Sequence, residues 1–493
     1  MNYLIPLLVV IPILSALIVN IFDGKDKTVK AISLVLGILV PIIAICATVG
    51  VQYFGGHNPS LLTSSLPANL VNTLVASYNT GIVYVFANIE RIFIFLMGIV
   101  AFLAILTYFA EKKEVSGPYL YLIFMGLASV IALLLSNDIF NMYVFFEITA
   151  LTQVGIIVAS STEDNYEIAL KYLILGAIGG PMLLLGIGFI LGTIGSVNIT
   201  DIIYVISNKF VQPYSPGLVI GFALILFGWL YSAGLPPFHT IKSAVYSKAR
   251  PNGSAILQGF SVLCMLAFGI AMYKIFAYIP YFNTAIIVFA ILAMVLGVAM
   301  SAMEVDFRRM IAFLAVGELG FIALGFGIGT QMSIAAALFQ AANEIVITAM
   351  LFIGFGSVYY LTNTSDTRKL GGLIGVDSKM AIMVLLGGWA LAGVPPFNGF
   401  QSKLMLVQAA LDAGYTELAI LAIIVSVVIF FTFVKAFHNV YLQPKPNELK
   451  FVHDKIPKVT VFSVAILLII CLILGICPNI VTDVFIPFAG GLI

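Results

Sequence analysis

The sequence predicts an all-α membrane protein of about 14 transmembrane helices, and three observations support this fold class. First, 61% of its 493 residues are hydrophobic and only 9% are charged, whereas roughly a quarter of the residues in a soluble domain are charged. Second, apolar runs of about 20 residues, the length that crosses a bilayer, recur along the chain. Third, two of these runs carry the same interruption, AGLPPFHTIKS at 233–243 and AGVPPFNGFQSK at 392–403.

Fourteen apolar runs are long enough to be spans. They lie near 3–22, 29–52, 84–109, 118–136, 139–160, 167–193, 216–237, 254–276, 283–303, 308–329, 333–359, 379–399, 415–441 and 458–482. With this division, 17 of the 23 Lys and Arg residues fall in alternate connections, five lie within spans, and only Lys209 lies on the opposite side. The positive-inside rule then predicts that both termini are outside. The net charge of +1 argues against a nucleic-acid partner.

The two interruptions predict broken helices at Pro236, Pro237, Pro395 and Pro396. Proline lacks the amide N–H and clashes with the preceding helical turn. Broken backbone is tolerated at membrane depth only where it is buried in protein or lines a wet cavity. Broken helices at corresponding positions of two halves are typical of an ion or substrate site in a transporter built from repeats.

A second repeated pattern supports two halves of inverted topology. The motif D-x-x-x-M-x-x-F opens the fifth span at Asp138 and the tenth span at Asp306, and an odd number of spans per unit inverts it. Chance matching in a low-diversity apolar sequence is the alternative. We predict N-terminal spans 1–4 with an outside loop at 53–83 (residues 1–136), a first inverted repeat (137–276), a second inverted repeat (283–441), and a connector with the last span (442–493). The loop at 53–83 is a candidate hairpin, and 197–212 is a candidate amphipathic surface helix.

Six titratable residues within or beside spans are candidates for a proton pathway, because a charge at a span centre costs about 2.5–3.5 kcal/mol. They are Glu147, Lys171, His239, Glu318, Glu344 and Lys403. Structural alternatives remain: a Glu147–Lys171 salt bridge, a snorkelling Lys171, interhelical hydrogen bonds from the two second-half glutamates, and a capping role for His239. We hypothesise that Glu318 and Glu344 share one proton. No catalytic residue, metal site or cofactor is predicted, since the four cysteines form no CxxC or Cys/His cluster.

Residues 84–441 resemble the antiporter-like subunits of the respiratory complex I superfamily, which includes the Mrp antiporter D subunit and the membrane arms of energy-converting [NiFe] hydrogenases. The matching phrases are SNDIFNMYVFFEI, LKYLILGA, GTIGSVNITDI, LPPFH, VDFRRMIAFLAVGELGF and AGVPPFNGFQSK. The resemblance implies fourteen core spans, two inverted five-span repeats with discontinuous seventh and twelfth helices, and a central polar axis that conducts protons. By this resemblance, Glu147, Lys171 and Lys403 are the fifth-span glutamate and the sixth- and twelfth-span lysines.

The chain departs from the family pattern at several positions. Ser232 stands where the family usually has a lysine in the broken seventh helix. In the eleventh span, Glu344 and Thr348 replace the usual histidine and lysine. Ser232, Thr348 and Lys242 are therefore auxiliary candidates, with Lys242 as a substitute for the missing first-half cation. These departures favour a hydrogenase-type membrane arm over complex I itself.

The expected function is that of a proton-translocating subunit of a redox-driven respiratory complex, of the energy-converting hydrogenase type or a related one. Expected partners are other membrane subunits, a peripheral redox arm, the lipid bilayer, protons and, as an option, Na⁺. The expected location is the plasma membrane of a prokaryote. One alternative is a Na⁺/H⁺ antiporter subunit of an Mrp-type assembly, and another is a non-conducting structural spacer with the same fold.

Overall fold

Eighteen α-helices and two strands form the part of the chain that the computed structural model describes, residues 4–54, 82–112, 114–159, 163–212 and 214–493. The elements of the first half are α1 (Leu4–Ile21), α2 (Asp26–Cys46), β1 (Gly50–Phe54), β2 (Ile82–Phe86), α3 (Asn88–Glu111), α4 (Gly117–Leu135), α5 (Ile139–Val158), α6 (Glu163–Ile194), α7 (Ile199–Ser207), α8 (Pro216–Ala233), α9 (His239–Lys248) and α10 (Pro251–Phe276). Those of the second half are α11 (Phe282–Met303), α12 (Phe307–Ile328), α13 (Gln331–Thr362), α14 (Ser378–Ala392), α15 (Asn398–Asp412), α16 (Thr416–Phe437), α17 (Lys458–Ile476) and α18 (Asn479–Gly490).

Thirteen of the described helices are long and apolar enough to cross a membrane. The one predicted span without such a helix is the twelfth, which is broken: α14 has only 15 residues and is continued by α15. The predicted seventh and twelfth spans were too short, because α9 and α15 run on to Lys248 and Asp412. Each of these continuations contains a lysine, which ended the apolar run in the sequence. The last predicted span was too long, since α17 ends at Ile476 and a separate helix, α18, follows.

Two connections on the predicted outside contain regular structure. Strands β1 and β2 pair antiparallel, Gly50 opposite Phe86, and close the ends of the predicted hairpin; its interior, 55–81, lies outside the described residues. A helix is confirmed within the predicted amphipathic segment 197–212, but α7 covers only Ile199–Ser207; it buries Ile202 and Ile206.

Three helices form the centre of the bundle. Of the residues in the most apolar 18-residue stretch of each helix, 94% are buried in α10, 100% in α12 and 89% in α13, against 39% in α1. A helix that is apolar on all sides and surrounded by other helices has no solvent face. Polar side chains in the middle of these three helices are therefore enclosed within the protein.

Helices α5 and α12 begin in the same way. Ile139 N donates to Val197 O (2.9 Å), and Phe307 N donates to Ser365 O (3.0 Å). Both the donors and the acceptors of the two bonds are 168 residues apart in the sequence. The preceding aspartates, Asp138 and Asp306, cap their helices by accepting from Asn141 N and Arg308 N respectively.

Candidate ion-translocation site

The break between α14 and α15 leaves a backbone carbonyl without its helical partner, and Lys403 donates a hydrogen bond to it. Helix α14 ends at Ala392, and the glycine that caps it, Gly393, has a left-handed φ of 82°. In a continuous helix the carbonyl of Leu391 would accept from residue 395, but Pro395 has no N–H. Lys403 Nζ donates to this oxygen instead, at 2.7 Å. The break thus creates an acceptor for a buried cation.

Lys403 also forms a buried ion pair with Glu318 of α12. The Nζ–Oε1 distance is 2.7 Å, and the side chains are 7% and 0% exposed. The ammonium group lies 4.7 Å from the centre of the Phe321 ring. An ion pair so enclosed depends on further hydrogen bonds to offset the loss of water.

Those hydrogen bonds come from α13 and α15. Gln340 Nε2 donates to Glu318 Oε2 at 2.7 Å, and Ser402 Oγ donates to Gln340 Oε1 at 2.6 Å. Asn343 Nδ2 donates to Ser402 Oγ at 2.9 Å, and Asn398 Nδ2 donates to Asn343 Oδ1 at 2.7 Å. The second-half ion pair is therefore one end of a continuous chain of polar groups.

Glu344, fully buried on α13, is only half satisfied. Its Oε1 accepts from Gln258 Nε2 of α10 at 3.0 Å. Glu344 Oε2 and Gln258 Oε1 have no hydrogen-bond partner within the described ranges. Unsatisfied buried acceptors are costly, so these two oxygens suit a proton donor or a cation. The charges of Glu344 and Glu318 interact, but each carboxylate has its own hydrogen-bond donor.

In the first half, Lys242 of α9 is the buried cation. It is 2% exposed, and its Nζ donates to Ser261 Oγ at 2.7 Å and to Gln153 Oε1 at 3.2 Å. The ammonium lies 5.3 Å from the centre of the Tyr172 ring. No carboxylate forms a salt bridge with it in the described part of the chain. Ser232, where the family usually has a lysine, donates to the carbonyl of Trp229 (2.8 Å).

The two lysines approach their helix breaks in a similar way. Gly234 has a φ of 75°, and a Cβ added there would lie 2.4 Å from Lys242 Cγ. A Cβ added at Gly393 would lie 3.0 Å from Lys403 Cδ. In both halves, the aliphatic stem of the lysine packs on the left-handed glycine that ends the first part of the broken helix.

Helix α10 connects the two halves of the site. Gln258 and Ser261 are three residues apart and so lie on one face of the helix. Gln258 contacts Glu344, while Ser261 accepts from Lys242 and, at 2.5 Å, from Tyr246 Oη. The first-half cation and the second-half carboxylate thus contact the same face of α10.

Glu147 and Lys171 do not pair with each other. Glu147 is half-buried, and its Oε1, which lies against Gly180, has no partner in the described structure. Lys171 is exposed and forms an ion pair with Glu167 one helical turn earlier. The Glu147–Lys171 salt bridge considered from the sequence is therefore wrong, and Lys171 lies outside the buried network.

The remaining predicted residues lie at the edges of the network. His239 begins α9, is 9% exposed, and its ring centre lies 6.5 Å from that of Phe313. Its Nδ1 has no partner among the described residues. Thr348 Oγ donates to the carbonyl of Glu344 one turn before it.

Sequence reasoning missed the neutral members of the network. They are Gln153, Tyr172, Tyr246, Gln258, Ser261, Gln340, Asn343, Asn398 and Ser402. A glutamine or asparagine inside an apolar span is a usable signal, since such a group needs a partner in the membrane. The tyrosines gave no such signal, because aromatic residues are also frequent in packing and at membrane interfaces.

Known proteins are similar to this chain in sequence and in fold. Residues 136–432 match the family described as NADH:quinone oxidoreductase/Mrp antiporter, transmembrane. The uncharacterized protein MJ1309 of Methanocaldococcus jannaschii is 35% identical over 497 residues, covering 100% of this chain and 98% of its own. The D subunit of the Na⁺/H⁺ antiporter of Alkalihalophilus pseudofirmus is 30% identical over 366 residues, 72% of this chain and 73% of its own.

A solved structure extends the likeness to the whole fold. A chain of the membrane-bound sulfane sulfur reductase, an archaeal respiratory membrane complex, superimposes with a TM-score of 0.85 at 24% identity, covering 99% of this chain and 97% of that one. The family match includes both broken helices and all six predicted pathway residues. This integral membrane protein is therefore a member of the NADH:quinone oxidoreductase/Mrp antiporter transmembrane family.

Proposed function

We propose that this antiporter-like subunit translocates protons within a redox-driven membrane complex, using Lys403, Glu318 and Glu344 as the principal carriers. One observation supports this most directly. A buried Lys–Glu ion pair ends a hydrogen-bonded network, and a second buried carboxylate with an unsatisfied oxygen lies nearby. Apolar packing would stabilise a purely structural core at least as well as this arrangement of charges.

The ion pair can open and close with the charge of its neighbours. A proton that reaches Glu318 neutralises the carboxylate and removes most of its attraction for Lys403. The ammonium then keeps the Leu391 carbonyl and the face of the Phe321 ring, both of which are neutral. Lys403 also lines a cavity of ≈ 560 Å³ whose other lining residues, apart from Ser426, are apolar or glycine. This cavity gives the released lysine room to move, and the proton leaves along the polar groups of the network.

In the first half we assign the cation's role to Lys242, with Glu147 as the carboxylate. Tyr231 and Tyr172 stand between them: Glu147 and Tyr231 lie against the adjacent glycines Gly180 and Gly179, Tyr231 stacks on Tyr172 at 5.8 Å, and Lys242 lies over Tyr172. We assign His239 to the entrance of this route, and no carrier role to Lys171. The matching hydrogen bonds at the starts of α5 and α12 support inverted repeats at 137–276 and 283–441.

The source of energy lies in partner subunits. We propose a peripheral redox arm, a prokaryotic plasma membrane as the location, and both termini outside. The placement of 17 of 23 basic residues in alternate connections supports this orientation.

Sodium/proton antiport is the second candidate. The free oxygens of Glu344 and Gln258 are both acceptors, which is the ligand type that a hard cation prefers. The relative in Alkalihalophilus pseudofirmus carries the name of a Na⁺/H⁺ antiporter component.

Membrane vesicles that contain the whole complex distinguish these functions. The assay follows proton movement with a pH-sensitive dye, first during redox turnover and then after a sodium pulse without redox substrates. We expect Lys403→Met to abolish redox-driven proton uptake, while Lys435→Met, at an exposed position near the end of α16, leaves it unchanged. Sodium-dependent proton movement that Lys403→Met abolishes indicates antiport instead. Full activity of both variants in both assays would overturn the carrier role and indicate a structural spacer.

A further inference from the structure

We infer a binding site for a phosphate group, either that of an acidic phospholipid or free phosphate, in a basic cavity separate from the polar network. This cavity has a volume of ≈ 380 Å³. It lies where the end of α3, the junction of α9 and α10, the start of α12, the end of α13 and the connector at 442–457 meet. Its basic lining residues are Lys112, Lys248, Arg250 and Arg308.

The lining is rich in basic side chains. Among the described residues, four Lys and Arg side chains and one carboxylate, that of Glu111, line the cavity. Arg308 forms no salt bridge with a carboxylate in the described part of the chain. Its buried charge therefore favours an anion as the occupant of the cavity.

Aromatic rings hold the guanidinium groups in fixed positions. Arg308 lies over Tyr359 at 4.9 Å, and Arg250 lies over Tyr108 at 5.5 Å and Tyr119 at 5.4 Å. Stacking on an aromatic face restricts the positions that a guanidinium group can take. The two charges are thus held in place by the surrounding rings.

Two buried donors in this lining lack acceptors. Arg308 is 7% exposed and Asn252 is 3% exposed. Arg308 donates from one terminal nitrogen to the carbonyl of Ala249, but its Nε has no partner in the described structure, and neither has Asn252 Nδ2. Both atoms can only donate, so the missing ligand offers acceptor oxygens. A phosphate group matches both these donors and the buried charge of Arg308.

The position in the fold brings lipid headgroups within reach. The cavity lies at helix ends on the side that holds the basic connections, and basic pockets between transmembrane helices on that side suit anionic headgroups. Free phosphate offers the same chemistry without acyl chains. The two sources differ in how they respond to the probes below.

Binding can be measured on the purified full-length chain in detergent. The probes are dioctanoyl phosphatidylglycerol, dioctanoyl phosphatidylcholine and inorganic phosphate, each titrated while the midpoint of thermal unfolding is followed. We expect phosphatidylglycerol to raise the midpoint in a saturable way and phosphatidylcholine to have no such effect. A comparable rise with inorganic phosphate identifies free phosphate as a ligand, and no rise with it identifies the lipid.

Variants locate the binding. Lys112 and Lys248 are exposed, so the double variant Lys112→Gln/Lys248→Gln is expected to fold and to bind about tenfold more weakly, the order of one lost charge-assisted hydrogen bond. Arg308→Gln tests the buried donor, and Lys379→Gln, an exposed lysine at the start of α14, is the matched control. The site is refuted if neither anion binds more tightly than phosphatidylcholine, or if the double variant binds like the control.

Discussion

Removal of Lys403 and the Glu318 charge together is expected to destabilise the fold much less than the sum of the two single removals. The Lys403→Met variant leaves the Glu318 carboxylate, which is 0% exposed, with Gln340 as its remaining hydrogen-bond donor. Breaking a buried ion pair by removing one partner costs about 3–5 kcal/mol, because the other charge remains buried without compensation.

The double variant Lys403→Met/Glu318→Gln removes both charges. A glutamine at 318 keeps an oxygen that can accept from Gln340. The losses of the two single variants are therefore not additive, and we expect a coupling energy on the order of 2–3 kcal/mol, within the range for contacting residues.

The free energy of unfolding is measured for the wild type, for Lys403→Met, for Glu318→Gln and for the double variant. Each is purified in detergent and unfolded by denaturant titration, followed by circular dichroism. Lys435→Met is the control for the loss of a lysine at an exposed position. If Lys403→Met is no less stable than this control, or if the single losses simply add, the ion pair does not hold the buried network together.

Local geometry supports three more predictions. Lys242→Met is expected to lower the free energy of unfolding less than Lys403→Met in the same titrations, because Lys242 bonds neutral groups and leaves no opposite charge unpaired. Gly234→Ala is expected to lower the free energy of unfolding by at least about 1–2 kcal/mol, because residue 234 has a left-handed φ and the added methyl group would overlap with the Lys242 side chain. The control Gly192→Ala, in an open helical position, is expected to be neutral or stabilising. The hydrogen bond from Arg368 lowers the pKa of Asp366 in the loop after α13. This pair therefore stabilises the fold above the carboxyl's ordinary pKa of about 4 and ceases to do so as the pH falls through the lowered pKa. An NMR titration of Arg368→Gln should show the pKa of Asp366 returning upward, and an unchanged value would contradict the assignment.

Sequence patterns were sufficient where the physical cause is local. The prolines at 236–237 and 395–396 predicted both breaks, since a missing N–H interrupts a helix in any context. Asp138 and Asp306 marked two helix starts because a carboxylate at that position caps free amides. The number of spans followed from hydropathy, because bilayer thickness fixes the length of an apolar run.

The sequence was insufficient where the outcome depends on which face of a helix points inward. Lys171 and Tyr172 are neighbours, yet Lys171 is exposed while Tyr172 is buried and bonds Gln153 at 2.9 Å. Adjacent residues on a helix point about 100° apart, and α6 has apolar residues on every side. No periodicity in such a sequence distinguishes the face toward lipid from the face toward the bundle.

By itself the sequence determined that this is a polytopic membrane protein with two broken helices and a few buried charges. Only the tertiary structure decided which groups those charges contact: Lys403 pairs with Glu318, Glu344 accepts from Gln258, and Lys242 donates to Ser261. The reason is that membrane insertion and helix breaking depend on the composition of one segment. The pairing of two buried groups depends instead on distances between segments far apart in the chain, which are set when the helices pack.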